Sequence, residues 1–433
     1  MISKKFLMLL AILFGISFSV QAQIVVDENN DEVDEEDELV VTDQNGDEEV
    51  IDFPEAMTYD LDSLLNEYMA KTYLTKEDCN LKNENIDYPE EVFIERLSRM
   101  PTVMEMAHNN VVQNFIDRYA KRLRGTISYC LGAGNFYMPI FEEALEAYQI
   151  PLELKYLPVI ESALNPRAVS RVGATGLWQF MLATGKQYNL KINSLVDERR
   201  DPIKASYAAA NLLSDLYKVF GDWNLVIAAY NCGPGNVSKA IQRSGGSKDY
   251  WQIYPYLPRE TRGYVPAFIA ANYMMTYYSL HNICPMSSRL PAQTDTVMVS
   301  KKMHFEQIAQ VLNLDIEMIR ALNPMYRRDI IPANSDELYT LRLPQSEVNH
   351  FIELQDSIVN YRANELLTNR ISVEVNDYTP TYYHKSKRGY KKGRKGRIGR
   401  HSKAYRSGKS KAHRRSKARG GKKKKSSRRR RRR

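Results

Sequence analysis

Three short polar segments interrupt apolar stretches of this sequence, and each holds side chains suited to chemistry on a polar ligand. In the first, Glu161 follows Leu157-Pro158-Val159-Ile160, and Asn165-Pro166 stops the helix just beyond it. A carboxyl group there is partly desolvated and close to the negative end of a helix, and both effects favour its protonated form. A protonated carboxyl at neutral pH is what a general acid needs. The plain alternative is a capping or surface glutamate. The segment continues through Ser170 to Gly176-Leu177-Trp178-Gln179-Phe180-Met181. In the second, Ala228-Ala229-Tyr230-Asn231-Cys232-Gly233-Pro234-Gly235, a Tyr hydroxyl and an Asn amide sit in the last turn of a helix. Alone, that is an ordinary glycine stop. The third, Pro258-Arg259-Glu260-Thr261-Arg262-Gly263-Tyr264-Val265-Pro266, places Tyr264 in the first turn of a helix that Thr261 can cap.

Together the segments resemble the soluble lytic transglycosylase family 1 (SLT) catalytic domain over about residues 100–285. The matching pattern is Glu161-Ser162, Ser170, Gly176-Leu177-Trp178-Gln179, Ala229-Tyr230-Asn231-Cys232-Gly233 and Glu260-Thr261-Arg262-Gly263-Tyr264-Val265. Within that family the chain is most similar to the membrane-bound murein transglycosylase D type. The resemblance implies a peptidoglycan lytic transglycosylase with a lysozyme-like fold and neither cofactor nor metal. It implies Glu161 as acid and then base, and Ser170 as a support for the glutamate and the substrate acetamido group. Gln179, Tyr230 and Asn231 would line the cleft, and Tyr264 would hydrogen-bond near the glutamate. Trp178 stands where the family usually has Met and would broaden an aromatic sugar platform; Cys232 replaces Ala. Ordinary glycosidases need two carboxylates. Asp197, Glu198, Asp201 and Asp222 are candidates by number, with plainer readings as caps or loop charges, and the resemblance implies that none is needed. The rival class is a catalytically idle wall-binding or scaffold protein on the same fold.

The elements that must position these residues are mainly α. Apolar side chains recur at helix spacing in Phe93-Ile94-Leu97 and Val111-Val112-Phe115-Ile116-Tyr119. The helical stretch from about 53 to 149 is expected to break at Gly132, Gly134 and Asn135. Further helices are expected over 201–220, 223–231 and 261–280, the last a buried central one. From Asp295 the texture becomes βααβ: a strand at Thr296–Val299, helices at Phe305–Leu312 and Ile316–Leu322, and a strand at Leu338–Leu343. This module resembles a divergent LysM. Lys301-Lys302-Met303-His304 replaces the usual turn, while Ile308-Ala309 and Leu322-Asn323-Pro324 persist; N-acetylglucosamine in glycan strands is the implied ligand, and a degenerate module that merely packs on the catalytic domain is the plain alternative.

The net charge of +9 over 433 residues describes no single part. Residues 385–433 hold 27 Lys and Arg and no acid, whereas 27–55 hold 15 acids and no Lys or Arg. Between them lies a near-neutral body. The expected organisation is a signal peptide (1–22), an acidic disordered arm (23–55), a helical region with the catalytic domain (56–292), a LysM-like module (293–346), a helical linker (347–378) and a disordered basic tail (379–433). Lys4 and Lys5, the apolar run Phe6–Val20 and Val20-Gln21-Ala22 form the export signal. Export places the chain in the periplasm or cell envelope, peripheral to a membrane at most. No cysteine near that site marks a lipoprotein. Cys79, Cys130, Cys232 and Cys284 could then pair in any of three full connectivities or stay free. Peptidoglycan is the expected partner. For the tail, anionic lipid headgroups or lipopolysaccharide suit an exported protein better than nucleic acid.

Overall fold

The computed structural model describes residues 38–42, 48–58, 74–75, 79, 84–288, 290–367 and 372–375. The signal segment and the basic tail lie outside these. The acidic arm, expected to be disordered through residue 55, instead enters the fold at its end. Strands β1 (Glu38–Thr42) and β2 (Glu48–Asp52) pair antiparallel, and Ile51, Phe53, Ala56 and Met57 are buried. Phe53 stacks on Phe115 at 4.8 Å and meets Tyr119 edge-on at 5.7 Å. The Arg118 guanidinium covers the same ring at 4.3 Å. Burying these apolar side chains outweighs the ordering cost that acidic composition alone would leave unmet. A strand pair of two residues, β3 (Leu74–Thr75) with β4 (Ser287–Ser288), lies further along.

Helices α1 (Glu90–Ser98), α2 (Asn110–Lys121) and α3 (Arg124–Ala147) precede the first chemical segment. The expected break at Gly132 does not occur; α3 runs through both glycines and Pro139. A Cβ on Gly132 would sit 2.4 Å from the Met286 carbonyl oxygen, so glycine serves close approach of the 284–288 segment. A Cys79–Cys284 disulfide ties down that segment, leaving Cys130 and Cys232 as free thiols.

Local capping explains the elements around the site. Short helix α4 (Leu157–Ser162) ends where Ala163 turns left-handed at φ 47°. After α5 (Leu182–Gln187), Asp201 accepts the amides of Ile203 and Lys204 to start α6 (Pro202–Phe220), with Pro202 in the first turn. Asp222 accepts from Leu225 to start α7 (Trp223–Cys232). Gly233-Pro234 ends α7 and begins α8 (Pro234–Arg243), an unanticipated helix. One turn, α9 (Tyr250–Ile253), leads to α10 (Arg259–Tyr277), buried along most of its length. Beside its C-terminal end His281 is enclosed, with Asn85 at 2.8 Å from Nδ1 and the Tyr273 hydroxyl at 3.0 Å from Nε2. Burial, with Arg96 and Arg124 nearby, pushes this imidazole down to about 4.

The βααβ module follows in the expected order: β5 (Thr294–Val299), β6 (Met303–His304), α11 (Phe305–Leu312), α12 (Ile316–Leu322), β7 (Ile330–Ile331) and β8 (Tyr339–Pro344). Strands β5 and β8 pair antiparallel from Thr294↔Pro344 to Val299↔Tyr339. Tyr339, Leu341 and Leu343 alternate inward. The expected linking helix is three short ones, α13 (Val348–Glu353), α14 (Gln355–Asn360) and α15 (Ala363–Leu366). Phe351 and Ile358 lie in the module's own core, so this segment completes the module rather than leaving it. Among the described residues, no helix is long and apolar enough to cross a membrane.

Candidate active site

Glu161 occupies the last turn of α4, with its side chain in a cleft lined by Pro54, Glu55, Ser170, Gln179, Tyr230, Asn231, Glu260 and Tyr264, among others. Tyr264, buried in the first turns of α10, donates its hydroxyl to Glu161 Oε1. The carboxyl is pushed up to about 7, first by desolvation and then by the Glu260 charge, with the Tyr264 hydrogen bond opposing both. A hydroxyl is a weaker partner than a cation, and it leaves the balance with the protonated form near neutrality. Burial and Glu161 raise the Tyr264 phenol well above its ordinary range, so it remains a donor.

The loop 168–181 forms the facing wall. Bridges Val169↔Thr175 and Thr175↔Phe180 give it a tight double turn. Ser170 Oγ accepts the Ala174 amide at 3.0 Å, and Gln179, at φ 48°, donates Nε2 to the Gly176 carbonyl at 2.8 Å. The Ser162 hydroxyl lies 2.9 Å from the Leu177 carbonyl, pinning α4 to this loop. Tyr230 donates its hydroxyl to the Trp178 carbonyl at 2.7 Å, and Thr261 donates to Asn231 Oδ1 at 2.8 Å.

Six of the seven expected site residues therefore converge on one cleft. Trp178 does not. Its ring is fully buried, edge-on to Phe141 at 5.2 Å, and its indole N–H donates to Ser206 Oγ at 2.9 Å. An indole that finds a buried acceptor and an aromatic neighbour is a core residue, so the sugar-platform expectation is corrected. The four numerical candidates for a second carboxylate are structural. Asp197 pairs with Arg199 and Glu198 with Lys204, while Asp201 and Asp222 cap helices.

Two cleft carboxyls escaped the sequence reading. Glu260 lay inside a quoted motif without a role, and its carboxyl is raised by desolvation and by Asp52 and Glu55. Glu55 belongs to the acidic arm and accepts the Arg171 amide at 3.3 Å. Nothing local marks it, because the contact spans 116 residues. Among the described residues no cluster of three or more His, Cys, Asp or Glu side chains could hold a metal.

Comparison with known proteins finds matches to two parts of the chain. Residues 138–253 match the transglycosylase SLT domain, and residues 293–360 match the LysM-like domain of lytic transglycosylase MltD. The chain is 33% identical over 196 residues to membrane-bound lytic murein transglycosylase D of Escherichia coli (strain K12), covering 43% of this chain and 42% of that protein. It is 34% identical over 124 residues to the soluble lytic murein transglycosylase of the same strain, covering 27% and 19%. The chain thus spans under half the length of these relatives. Among solved structures, the 70 kDa soluble lytic transglycosylase of Escherichia coli aligns at 30% identity with a TM-score of 0.30, over 34% of this chain and 25% of that one. The chain carries a transglycosylase SLT domain at residues 138–253, followed by an MltD-type LysM-like domain at residues 293–360.

Proposed function

We propose that this chain is an exported peptidoglycan lytic transglycosylase that cuts the β-1,4 bond between N-acetylmuramic acid and N-acetylglucosamine. The observation that carries the reading is Glu161, pushed up to about 7 in a cleft where a tyrosine hydroxyl holds it. Such a group is a proton donor and, once ionised, a proton acceptor at the same pH. Glu161 gives its proton to the glycosidic oxygen as the bond to the muramyl anomeric carbon breaks. The carboxylate then takes the proton of the muramyl 6-hydroxyl, whose oxygen closes on that carbon to form the 1,6-anhydro ring. No water is consumed, and the acid ends the cycle protonated.

In this reading Ser170, Gln179, Tyr230 and Asn231 bind polar groups of the sugar, and Tyr264 tunes Glu161. The SLT and LysM-like matches support peptidoglycan as the substrate. The N-terminal sequence supports export, and the basic tail suits an anionic envelope surface. The test is digestion of purified sacculi with product masses read out. Anhydro-muropeptides, one water lighter than hydrolysis products, are expected from the wild type and absent with Glu161→Gln. Reducing ends alone would make the protein a hydrolase, for which Glu260 and Glu55 are the second carboxyls in the cleft. No cleavage at all would leave a wall-binding scaffold.

A further inference from the structure

The loop that carries Ser170 and Gln179 is held from behind by one guanidinium. Arg199 Nη1 donates to the carbonyls of Phe180 at 3.1 Å and Gly173 at 3.3 Å. Its backbone presses on the same loop: a Cβ on Gly176 would lie 1.8 Å from the Arg199 carbonyl oxygen, and Gly176 is at φ 89°. Arg199 is in turn fixed by Asp197, which accepts from Nε and Nη2 at 2.9 Å each. Asp197 is 0% and Arg199 7% exposed. A two-pronged pair of this kind fixes orientation as well as charge.

What seats Asp197 comes from the LysM-like module. Its backbone amide donates to the Met325 carbonyl at 2.9 Å, and the Arg327 amide donates to the Leu195 carbonyl at 2.7 Å. Val196 bridges Tyr326 as a short antiparallel pair. Leu195 and Val196 are buried in the module's apolar core. Arg327 Nη2 stands 3.7 Å from Asp197 Oδ2, a second cation on the same carboxylate. The segment following the module's second helix is thus engaged by the catalytic domain.

We propose that residues 325–327 of the LysM-like module position the active-site loop through Asp197 and Arg199, so that the module acts on turnover and not only on substrate capture. Asp197, Arg199 and Arg327 are then positioning residues. The inference rests on the lytic activity proposed above, and its test separates the two. Full-length Asp197→Asn and Arg327→Ala are compared with wild type and with Glu161→Gln. Amide hydrogen exchange is followed by mass spectrometry, and cleavage is measured on a soluble, uncrosslinked glycan tetrasaccharide and on sacculi.

In Asp197→Asn, the amides of 168–181 should lose protection while those of α10 keep theirs. Turnover on the tetrasaccharide should drop about tenfold, with KM moving less than about threefold, because a displaced loop misplaces the groups around the reacting bond. Arg327→Ala should move both readouts in the same direction by about two- to threefold. Wild-type protection and turnover in Asp197→Asn would overturn the proposal, as would weakened sacculus binding with unchanged turnover on the tetrasaccharide. Should Asp197→Asn lose protection everywhere, Arg327→Ala decides, and wild-type behaviour there overturns the proposal. Full activity in Glu161→Gln would sink the catalytic reading instead, while the exchange data still report on the loop.

Discussion

Two carboxylates flank the loop 168–181, and the protein treats them in opposite ways. Asp197, behind the loop, is fully buried, gripped twice by Arg199 and approached by Arg327. Glu161, in front of it, has the Tyr264 hydroxyl and the Glu260 charge as neighbours. A paired buried charge specifies geometry, and a carboxyl kept from cations can hold a proton at neutral pH. In the function proposed above, the same fold spends one acid on architecture and reserves the other for chemistry. What separates them is the partner supplied and the setting: Asp197 is fully buried, whereas Glu161 is half-buried at the cleft.

The sharpest way to break this contrast is to delete each charge. Glu161→Gln should lower cleavage of sacculi by at least about 100-fold, the usual reach of general acid–base catalysis. It should also stabilise the protein. Between pH 4.5 and 7 native Glu161 binds more protons than its unfolded counterpart, so stability declines as pH rises through that window. Above pH 7 the Gln variant should gain on the order of 1–3 kcal/mol over wild type in urea unfolding, and near pH 4 almost nothing. Asp197→Ala should show the opposite sign at neutral pH, losing about 3–5 kcal/mol because Arg199 is left buried without its partner. Equal signs for the two variants would collapse the comparison.

Smaller effects sharpen it. Removing the Tyr264 hydroxyl in Phe removes the influence that lowers the Glu161 pKa, so the alkaline limb of the pH–rate profile should move upward by up to about one unit. His281 sets a separate acid limit. Its folded value of about 4 lies below the ordinary 6.5, so its contribution is present above pH 6.5 and lost as pH falls through 4. Replacing it with Gln should flatten urea-measured stability over that interval by on the order of 2–3 kcal/mol. Trp178→Phe should cost about 2 kcal/mol through the lost Ser206 hydrogen bond and the space the indole leaves in the core, and leave sacculus binding within about twofold.

Much of this was legible in local sequence. Glu161 at the end of an apolar helix, the caps at Asp201 and Asp222, and the βααβ order follow from spacing and capping chemistry. Trp178 was misread because residue type cannot tell whether a side chain leaves a tight turn toward cleft or core; Ser206 and Phe141 decide that from distant helices. The strap at 48–58 was missed because its net charge masked Ile51 and Phe53, whose partners lie more than sixty residues away. The role of Asp197 was hidden for the same reason. Its meaning depends on Met325 and Arg327, over a hundred residues along the chain.

The central claim is that Glu161 holds its proton up to about pH 7, far above the ordinary carboxyl range. Carbon-13 NMR of the glutamate carboxyls, with Glu161→Gln assigning the resonance, measures this directly. A midpoint near 7 is expected, moving higher in Tyr264→Phe. A midpoint near the ordinary 4.5 would contradict the account, because Glu161 would then be ionised before the glycan arrived.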